Sequence, residues 1–312
     1  MDLADASLLL LAEHLGHGQI LSTDERDFNA YRWKQYPLFT TCWPERRPTE
    51  TNMTPTLGGR LQGKVAIVTG GGSGFGEGIA AKFVAEGAQV LIADRDLENG
   101  LRVAARLGPQ TRALQVDVAV AADVRLMMEA AEQYFGRLDI LVNNAGITHL
   151  PTLLEDVSED DFDRIVAVNM KAIYLAMREA VPRFKANPAG SHGIRGVVLN
   201  IASTAGVSPR PRLSWYNASK GWVITATRAN AVELAPFGIR VCALNPVAGE
   251  TPLLKSFLGE DTPAIRAKFL STIPIGRFSL PEDLGNAACY LCSDEASMVT
   301  GVCMEIDGGR CI

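Results

Sequence analysis

A tyrosine and a lysine stand four residues apart in Trp215-Tyr216-Asn217-Ala218-Ser219-Lys220. In a helix that spacing puts both side chains on one face, one turn apart. A free phenol titrates near about 10 and a free ammonium near about 10.4. An ammonium close to a phenol favours the phenolate, and a tyrosine brought toward neutrality can both take and return a proton. Moving a phenol from about 10 to about 7 requires roughly 4 kcal/mol of differential stabilisation. A solvated surface lysine cannot supply that, whereas a partly desolvated one can. Ser203 precedes Tyr216 by thirteen residues, and its hydroxyl is suited to donate to a developing alkoxide.

A second constellation precedes these residues. Val68-Thr69-Gly70-Gly71-Gly72-Ser73-Gly74-Phe75-Gly76 leaves an apolar run and opens a helical one. Glycines at 70, 74 and 76 let the backbone bend sharply and let a pyrophosphate approach where a Cβ would stand in the way. The helix start then offers free N–H groups and a positive dipole end. Asp94 ends the next apolar run, eighteen residues after Gly76. A carboxylate there accepts hydrogen bonds from both ribose hydroxyls and repels a 2′-phosphate, so NAD is expected in preference to NADP. Arg95 beside it keeps NADP open, because a guanidinium can pair with that phosphate.

The elements that must position these groups follow from the hydrophobic pattern. Short β-branched runs at 64–70, 89–95, 113–118, 138–146, 196–203, 239–246 and 303–309 alternate with helical stretches from residue 61 onward. Continuous apolar strands separated by helices predict an α/β fold, a Rossmann-like doubly wound parallel sheet of about seven strands covered on both faces. Ligands of such sheets bind outside the carboxyl ends of the strands.

Composition bounds the function. With 312 residues, 47% of them hydrophobic, there is ample material for a large core, and a net charge of −5 gives no broad attraction to nucleic acid or anionic membranes. The aliphatic run at residues 8–12 is far shorter than the roughly 20 residues of a spanning helix. Asp2 and Asp5 stand where a leader peptide carries basic residues, and a cytoplasmic location is expected. Cys289 and Cys292 form a C-x-x-C inside an apolar helical stretch with no second pair at zinc-ribbon spacing, so packing is expected and no metal site. The chain divides into an N-terminal extension (1–40), a Pro/Thr/Gly-rich linker (41–59) and a main domain (60–312). Within the extension a helix is expected over 3–15 and a strand entering a turn over 18–28.

Taken together, the motifs resemble the short-chain dehydrogenase/reductase family over about residues 60–312. They are T-G-x-x-x-G-x-G at 69–76, Asp117-Val118, Asn143-Asn144-Ala145-Gly146, Val168-Asn169-Met170, Ser203 and Tyr216-x-x-x-Lys220. The glycine spacing is that of its compact oxidoreductase branch, and the chain is similar to 3-oxoacyl-carrier-protein reductases and to sugar or polyol dehydrogenases. The resemblance implies an NAD(P)(H)-dependent oxidoreductase interconverting a secondary alcohol and a ketone, and usually a homotetramer. It implies Tyr216 as acid/base, Lys220 also as a donor to the nicotinamide ribose, and Asn169 as a fourth catalytic member holding a water that links the lysine to solvent. It further implies a cofactor site built from Gly70, Ser73, Gly74, Phe75 and Gly76, with Asp94 and Arg95 at the adenosine ribose. Asp117 and Val118 would meet the adenine, Asn143 would fix the central strand, and Ala145 and Gly146 would allow close approach. Pro246 and Thr251 would flank the nicotinamide carboxamide. Val247 replaces the glycine usual after Pro246, which leaves the path of that loop open.

Residues expected around the substrate are His149 and Leu150, the segment 206–214 with Arg210 and Arg212, and a lid-like stretch at 257–278. The two arginines suit an anionic substrate or a carrier-bound thioester, or else are solvated loop charges. A nucleotide-binding regulator without catalysis is the alternative on the same fold. Separately, the first 35 or so residues resemble the C-terminal part of a PIN-type ribonuclease domain, with Asp5, Asp24 and Asp27 at its acidic positions. The missing earlier half leaves too few oxygens for magnesium, so no nuclease activity is expected.

Overall fold

The structure, a computed structural model, describes residues 58–312 throughout and, before them, the backbone of four two-residue strands. The chain forms two compact units, Met1–Thr56 and Leu57–Ile312. In the first, Gln19–Ile20 pairs in parallel with Thr40–Thr41, and Arg32–Trp33 pairs antiparallel with Tyr36–Pro37. The helix expected over 3–15, most of the linker and the positions Asp5, Asp24 and Asp27 lie outside the described residues.

The second unit is built on seven strands: β1 Val65–Thr69, β2 Gln89–Asp94, β3 Thr111–Gln115, β4 Ile140–Asn143, β5 Gly196–Ile201, β6 Ile239–Pro246 and β7 Cys303–Ile306. All neighbours are parallel, in the order 3-2-1-4-5-6-7. The order reverses between β1 and β4, and the crevice at that reversal is where such sheets bind ligands.

Both faces of the inner strands β1, β2, β4, β5 and β6 are buried, which is why they read as nearly unbroken apolar runs, whereas the edge strands β3 and β7 are partly exposed. Along β1, Ile67 enters a core with Met127, Met128 and Phe184 on one face, while Ala66 and Val68 enter a core with Ile79, Phe83 and Leu291 on the other. Helices α1 (Gly74–Ala85), α2 (Leu97–Leu107), α3 (Ala121–Phe135), α4 (Glu159–Ile165), α5 (Ala172–Ala186), α6 (Ser214–Leu234), α7 (Leu254–Leu258), α8 (Pro263–Leu270) and α9 (Pro281–Cys292) complete the unit. Cys289 and Cys292 are packed in the core on α9, and burial pushes both thiols up.

All strands but β6 end earlier than their apolar runs, and two of these endings shape the crevice. β3 stops at Gln115, one ladder bond before the chain turns at Asp117, whose Oδ1 accepts from the Ala119 N–H and whose carbonyl accepts from the Val120 N–H. β4 stops at Asn143 because Asn144 turns to bond the end of β1. In both cases the residues beyond the strand are freed to line the crevice.

Candidate active site

The glycine turn leaves β1 with Gly70 at φ +62° and Gly74 at φ +56°, backbone that a side chain strongly disfavours. A Cβ on Gly76 would lie 2.2 Å from the Gly70 carbonyl oxygen and 2.5 Å from Asn144 Nδ2. Gly76 therefore permits the first turn of α1 to fold directly beneath the loop. The loop is tied down from β4. Asn144 Nδ2 donates to the Thr69 and Gly70 carbonyls at 2.8 and 3.0 Å, and Thr69 Oγ1 accepts from the Asn144 and Ala145 N–H groups at 3.0 and 3.1 Å. Asn144 is the tie that sequence reasoning missed. Its only signal was position beside Asn143, which plays a different part: Asn143 Nδ2 donates to Asn200 Oδ1, and Asn200 Nδ2 donates to Thr227 Oγ1, each at 2.9 Å. That buried chain joins β4, β5 and α6.

A cleft of about 410 Å³ opens at the carboxyl ends of the strands. Its floor at one end is Gly70, Ser73, Gly74 and Phe75, with Asp94, Arg95, Asp117 and Val118 along the β2–β3 side. Asp94 is held in place by backbone: Oδ2 accepts from the Gly72 N–H at 2.8 Å and Oδ1 from the Asp96 N–H at 3.0 Å. Toward the middle lie Ala145 and Gly146, then Ser203, Tyr216, Lys220, Pro246 and Thr251. Gly76, Asn143 and Asn169 lie behind the lining and support it.

The loop after Pro246 follows a defined path despite Val247. That side chain is buried with Leu254, Phe269, Ile273 and Phe278. Gly249 bridges to Ser279, and a Cβ on it would meet the Phe75 ring at 2.3 Å. Thr251 thereby closes over the glycine loop, its methyl 3.1 Å from where a Gly74 Cβ would sit.

The acid/base group converges from three elements. Ser203, Tyr216 and Lys220 are buried, at 8%, 4% and 5% exposure. Tyr216 and Lys220 occupy the inner face of α6, as their spacing predicts. The 204–206 turn lies so close to α6 that a Cβ on Gly206 would touch the Lys220 carbonyl carbon at 2.7 Å. Lys220 Nζ donates to the Ile201 carbonyl at 2.8 Å and lies 5.9 Å from the Tyr216 ring centre. Burial pushes Lys220 down to about 8. Burial also pushes Tyr216 up to about 12, opposed by the Ser203 hydroxyl and the Arg210 charge. The sequence-based expectation drew on the ammonium together with the charge of an oxidised nicotinamide; among the protein's own groups, burial of the phenol comes first. Desolvation of the phenolate outweighs an ammonium that is turned toward a strand-end carbonyl.

Asn169 does not sit in ordinary helix. Residues Val166–Lys171 form a π-helical turn between α4 and α5, a local widening that redirects a side chain. Asn169 Oδ1 accepts from the Ile147 N–H at 2.9 Å, and Nδ2 donates to the Ile147 carbonyl at 2.9 Å and to Ser219 Oγ at 3.0 Å. Its amide donors are thus both taken by protein, and it clamps the loop after β4 to α6.

At the far end of the cleft the expectations divide. His149 is buried, with Nδ1 on the Leu150 carbonyl at 2.7 Å, and it does not line the cleft. Leu150 and Arg212 are exposed and are also outside it. Arg210 does line it, together with Phe257 and Phe269 from the 254–270 segment and Arg310 from beyond β7.

The glycine turn, the oriented Asp94 and the strand-end cleft fit a dinucleotide: a Cβ-free cradle lies at one end, with a backbone-fixed carboxylate beside it. Fold and site together define a dinucleotide-dependent oxidoreductase on a doubly wound sheet. The chain belongs to the short-chain dehydrogenase/reductase family and is an NAD(P)-dependent enzyme acting on CH–OH groups. A family model described as enoyl-(acyl carrier protein) reductase matches residues 70–310. The chain is similar to 4-formylbenzenesulfonate dehydrogenase of Comamonas testosteroni, with 46% identity over 254 residues, 80% of this chain and 98% of that protein. It is 36% identical over 256 residues to the 3-oxoacyl-[acyl-carrier-protein] reductase of Thermotoga maritima, covering 81% of this chain and all of the other. Among solved structures it matches the 3-ketoacyl-(acyl-carrier-protein) reductase of Brucella melitensis complexed with NADH at TM-score 0.76 and 52% identity, over 81% of this chain and all of that one. These matches lend no support to the PIN-type likeness of the first residues.

Proposed function

We propose that this protein interconverts a secondary alcohol and a ketone, with NAD(H) preferred over NADP(H), and that Tyr216 is the acid/base. The observation carrying this reading is that Tyr216, Ser203 and Lys220 reach one cleft wall, with the glycine cradle and Asp94 in the same cleft. A nicotinamide dinucleotide, when bound, supplies the hydride acceptor or donor and, in its oxidised form, a positive charge. Gly70, Ser73, Gly74 and Phe75 would hold its pyrophosphate, Asp94 its adenosine ribose hydroxyls, Asp117 and Val118 its adenine, and Pro246 and Thr251 its carboxamide. Gly76 and Asn143 support that cradle from behind, and Ala145 and Gly146 leave room beside it.

In the oxidising direction Tyr216 takes the proton of the substrate hydroxyl as hydride leaves the carbinol carbon; in reduction it returns that proton to the carbonyl oxygen. The Ser203 O–H donates to the same oxygen and stabilises its developing charge. Lys220 would donate from its ammonium to the nicotinamide ribose. Asn169 keeps the loop after β4 seated on α6. A homotetramer belongs to this reading through the family resemblance alone. The purified chain should transfer deuterium from the C4 position of labelled NADH to the carbinol carbon of a ketone product, with NADH used better than NADPH. A chain that binds NADH but reduces no ketone and oxidises no alcohol on a broad panel would instead favour a regulatory role.

Lys220 gives a pH signature. Its pKa is lowered to about 8 in the folded chain, so the ammonium is present below that pH and lost above it. A group that binds the ribose only when charged must then loosen NADH as pH rises through about 8. Nicotinamide fluorescence titrations between about pH 6.5 and about pH 9.5 should show Kd rising on the alkaline side. In Lys220→Met the rise should vanish and the affinity should be low throughout. An unchanged slope in that variant would assign the pH dependence elsewhere.

A further inference from the structure

Among the described residues, the distal end of the cleft is lined by two guanidinium groups and no acid. Arg210, from the loop before α6, has Cζ 4.6 Å from the Phe269 ring centre, and Arg310, just beyond β7, has Cζ 5.0 Å from the same ring. Both are half-buried and line the cleft. Arg310 is anchored through Nη1 to Thr272 Oγ1. Other arginines near this end are neutralised: Arg266 pairs with Glu250 and Asp261, and Arg277 with Asp283. Among the described residues, neither Arg210 nor Arg310 makes such a pair. Stacking on an aromatic ring offsets part of the cost of desolvating a guanidinium, but leaves its fork of N–H donors directed at nothing equally charged. Arg210 is held below the usual arginine range, first by burial and then by the neighbouring charge of Arg310. The acids of the cleft, Asp94 and Asp117, are both at the adenosine end. Phe269 lies beneath the arginines, and Phe257, which lines the same cleft, is edge-on to Tyr216 at 5.0 Å and 70°.

We propose that Arg210 and Arg310 form an anion clamp, and that the substrate of this enzyme is a compact alcohol or ketone bearing a carboxylate or sulfonate, joined to its carbinol carbon by an aromatic or short apolar spacer. The proposal rests on the reading of the cleft as an alcohol/ketone site and adds to it the substrate class. Two guanidinium groups within 5.0 Å of one ring centre match an anion with several equivalent oxygens, because each fork can donate to a different oxygen. The Phe257 and Phe269 rings match the spacer. A carrier-tethered acyl thioester presents a neutral chain to this region and leaves both charges unsatisfied. The sequence singled out Arg210 and Arg212 as alternatives to solvated loop charge. The fold keeps the first, discards the second, and replaces it with a residue one hundred positions away.

The test is binding, so it does not depend on turnover. Sodium 4-isopropylbenzoate and neutral 4-isopropylbenzamide, neither able to exchange hydride, are titrated calorimetrically into the full chain saturated with NADH. The benzoate should bind at least about 30-fold more tightly than the amide, a factor within the range of charge-assisted hydrogen bonds. Arg210→Met and Arg310→Met should each weaken the benzoate by about 10- to 100-fold and leave the amide unchanged. Arg310→Lys should recover part of the loss. NADH affinity should be the same in all variants, which reports an intact fold. Within the wild type alone, raising ionic strength should weaken the benzoate and not the amide. Equal affinity for acid and amide, no binding of the benzoate at millimolar concentration, or variants that weaken both ligands alike would overturn the clamp. Because no hydride moves, those results would leave the proposed reaction standing. Failure of ketone reduction with a selective benzoate site intact would do the reverse.

Discussion

Tyr216→Phe is expected to lower kcat by about 10³-fold or more, because the variant keeps the ring and loses the hydroxyl proposed to carry the proton; general acid–base groups contribute about 10²- to 10⁴-fold. The substitution removes one oxygen from a side chain that is buried at 4% exposure and whose ring packs edge-on against Phe257. Packing is therefore conserved, and NADH affinity and thermal stability should stay close to wild type. The demanding feature of this site is the direction of the tyrosine's own titration. Burial holds the phenol near about 12, so ionisation at neutral pH requires positive charge at the moment of reaction. Lys220 lies 5.9 Å from the ring centre and the Arg210 charge acts in the same sense. The oxidised nicotinamide would add the third. Steady-state kinetics with titration of NADH in parallel separates the cases. Turnover within about tenfold of wild type would remove Tyr216 from the acid/base role.

The second large effect is expected at Gly76. Gly76→Ala places a methyl 2.2 Å from the Gly70 carbonyl oxygen and 2.5 Å from Asn144 Nδ2. Neither is a flexible side-chain end: one is backbone of the phosphate turn, and the other is the amide that ties that turn to β4. Overpacking of this kind costs about 1–3 kcal/mol, and relief can come only by moving the loop. NADH affinity should fall by about 100-fold or more, with a lower Tm. Gly100→Ala on α2 is the matched control. Its nearest neighbour lies at 3.5 Å, an ordinary contact, so it should leave binding unchanged and be neutral to stabilising. If Gly76→Ala binds NADH within about threefold of wild type, the close approach of loop and helix is not what makes the cradle.

The sequence by itself determined the layered fold, the glycine cradle and the tyrosine–lysine face, because each is written in local terms. Ile67 and its neighbours alternate between two cores, so a strand buried on both faces appears as an unbroken apolar run. Gly70 and Gly74 carry backbone dihedrals that side chains resist. Tyr216 and Lys220 share a helix face through the helical repeat alone. What the sequence left open depends on atoms distant in the chain. Val166–Lys171 carry no marker of a π-helical turn, since a widened turn is set by what packs on either side of it. Asn144 and Asn143 are adjacent and chemically identical, and only their strand partners give one the glycine loop and the other the core. Burial pushes the phenol of Tyr216 up, because desolvation is a property of the whole surrounding volume. Arg210 and Arg310 reach the same ring only once β7 has docked beside β6. Local pattern specifies conformation and face, whereas burial and the company a charge keeps are decided by the closing of the sheet and its loops around one cleft.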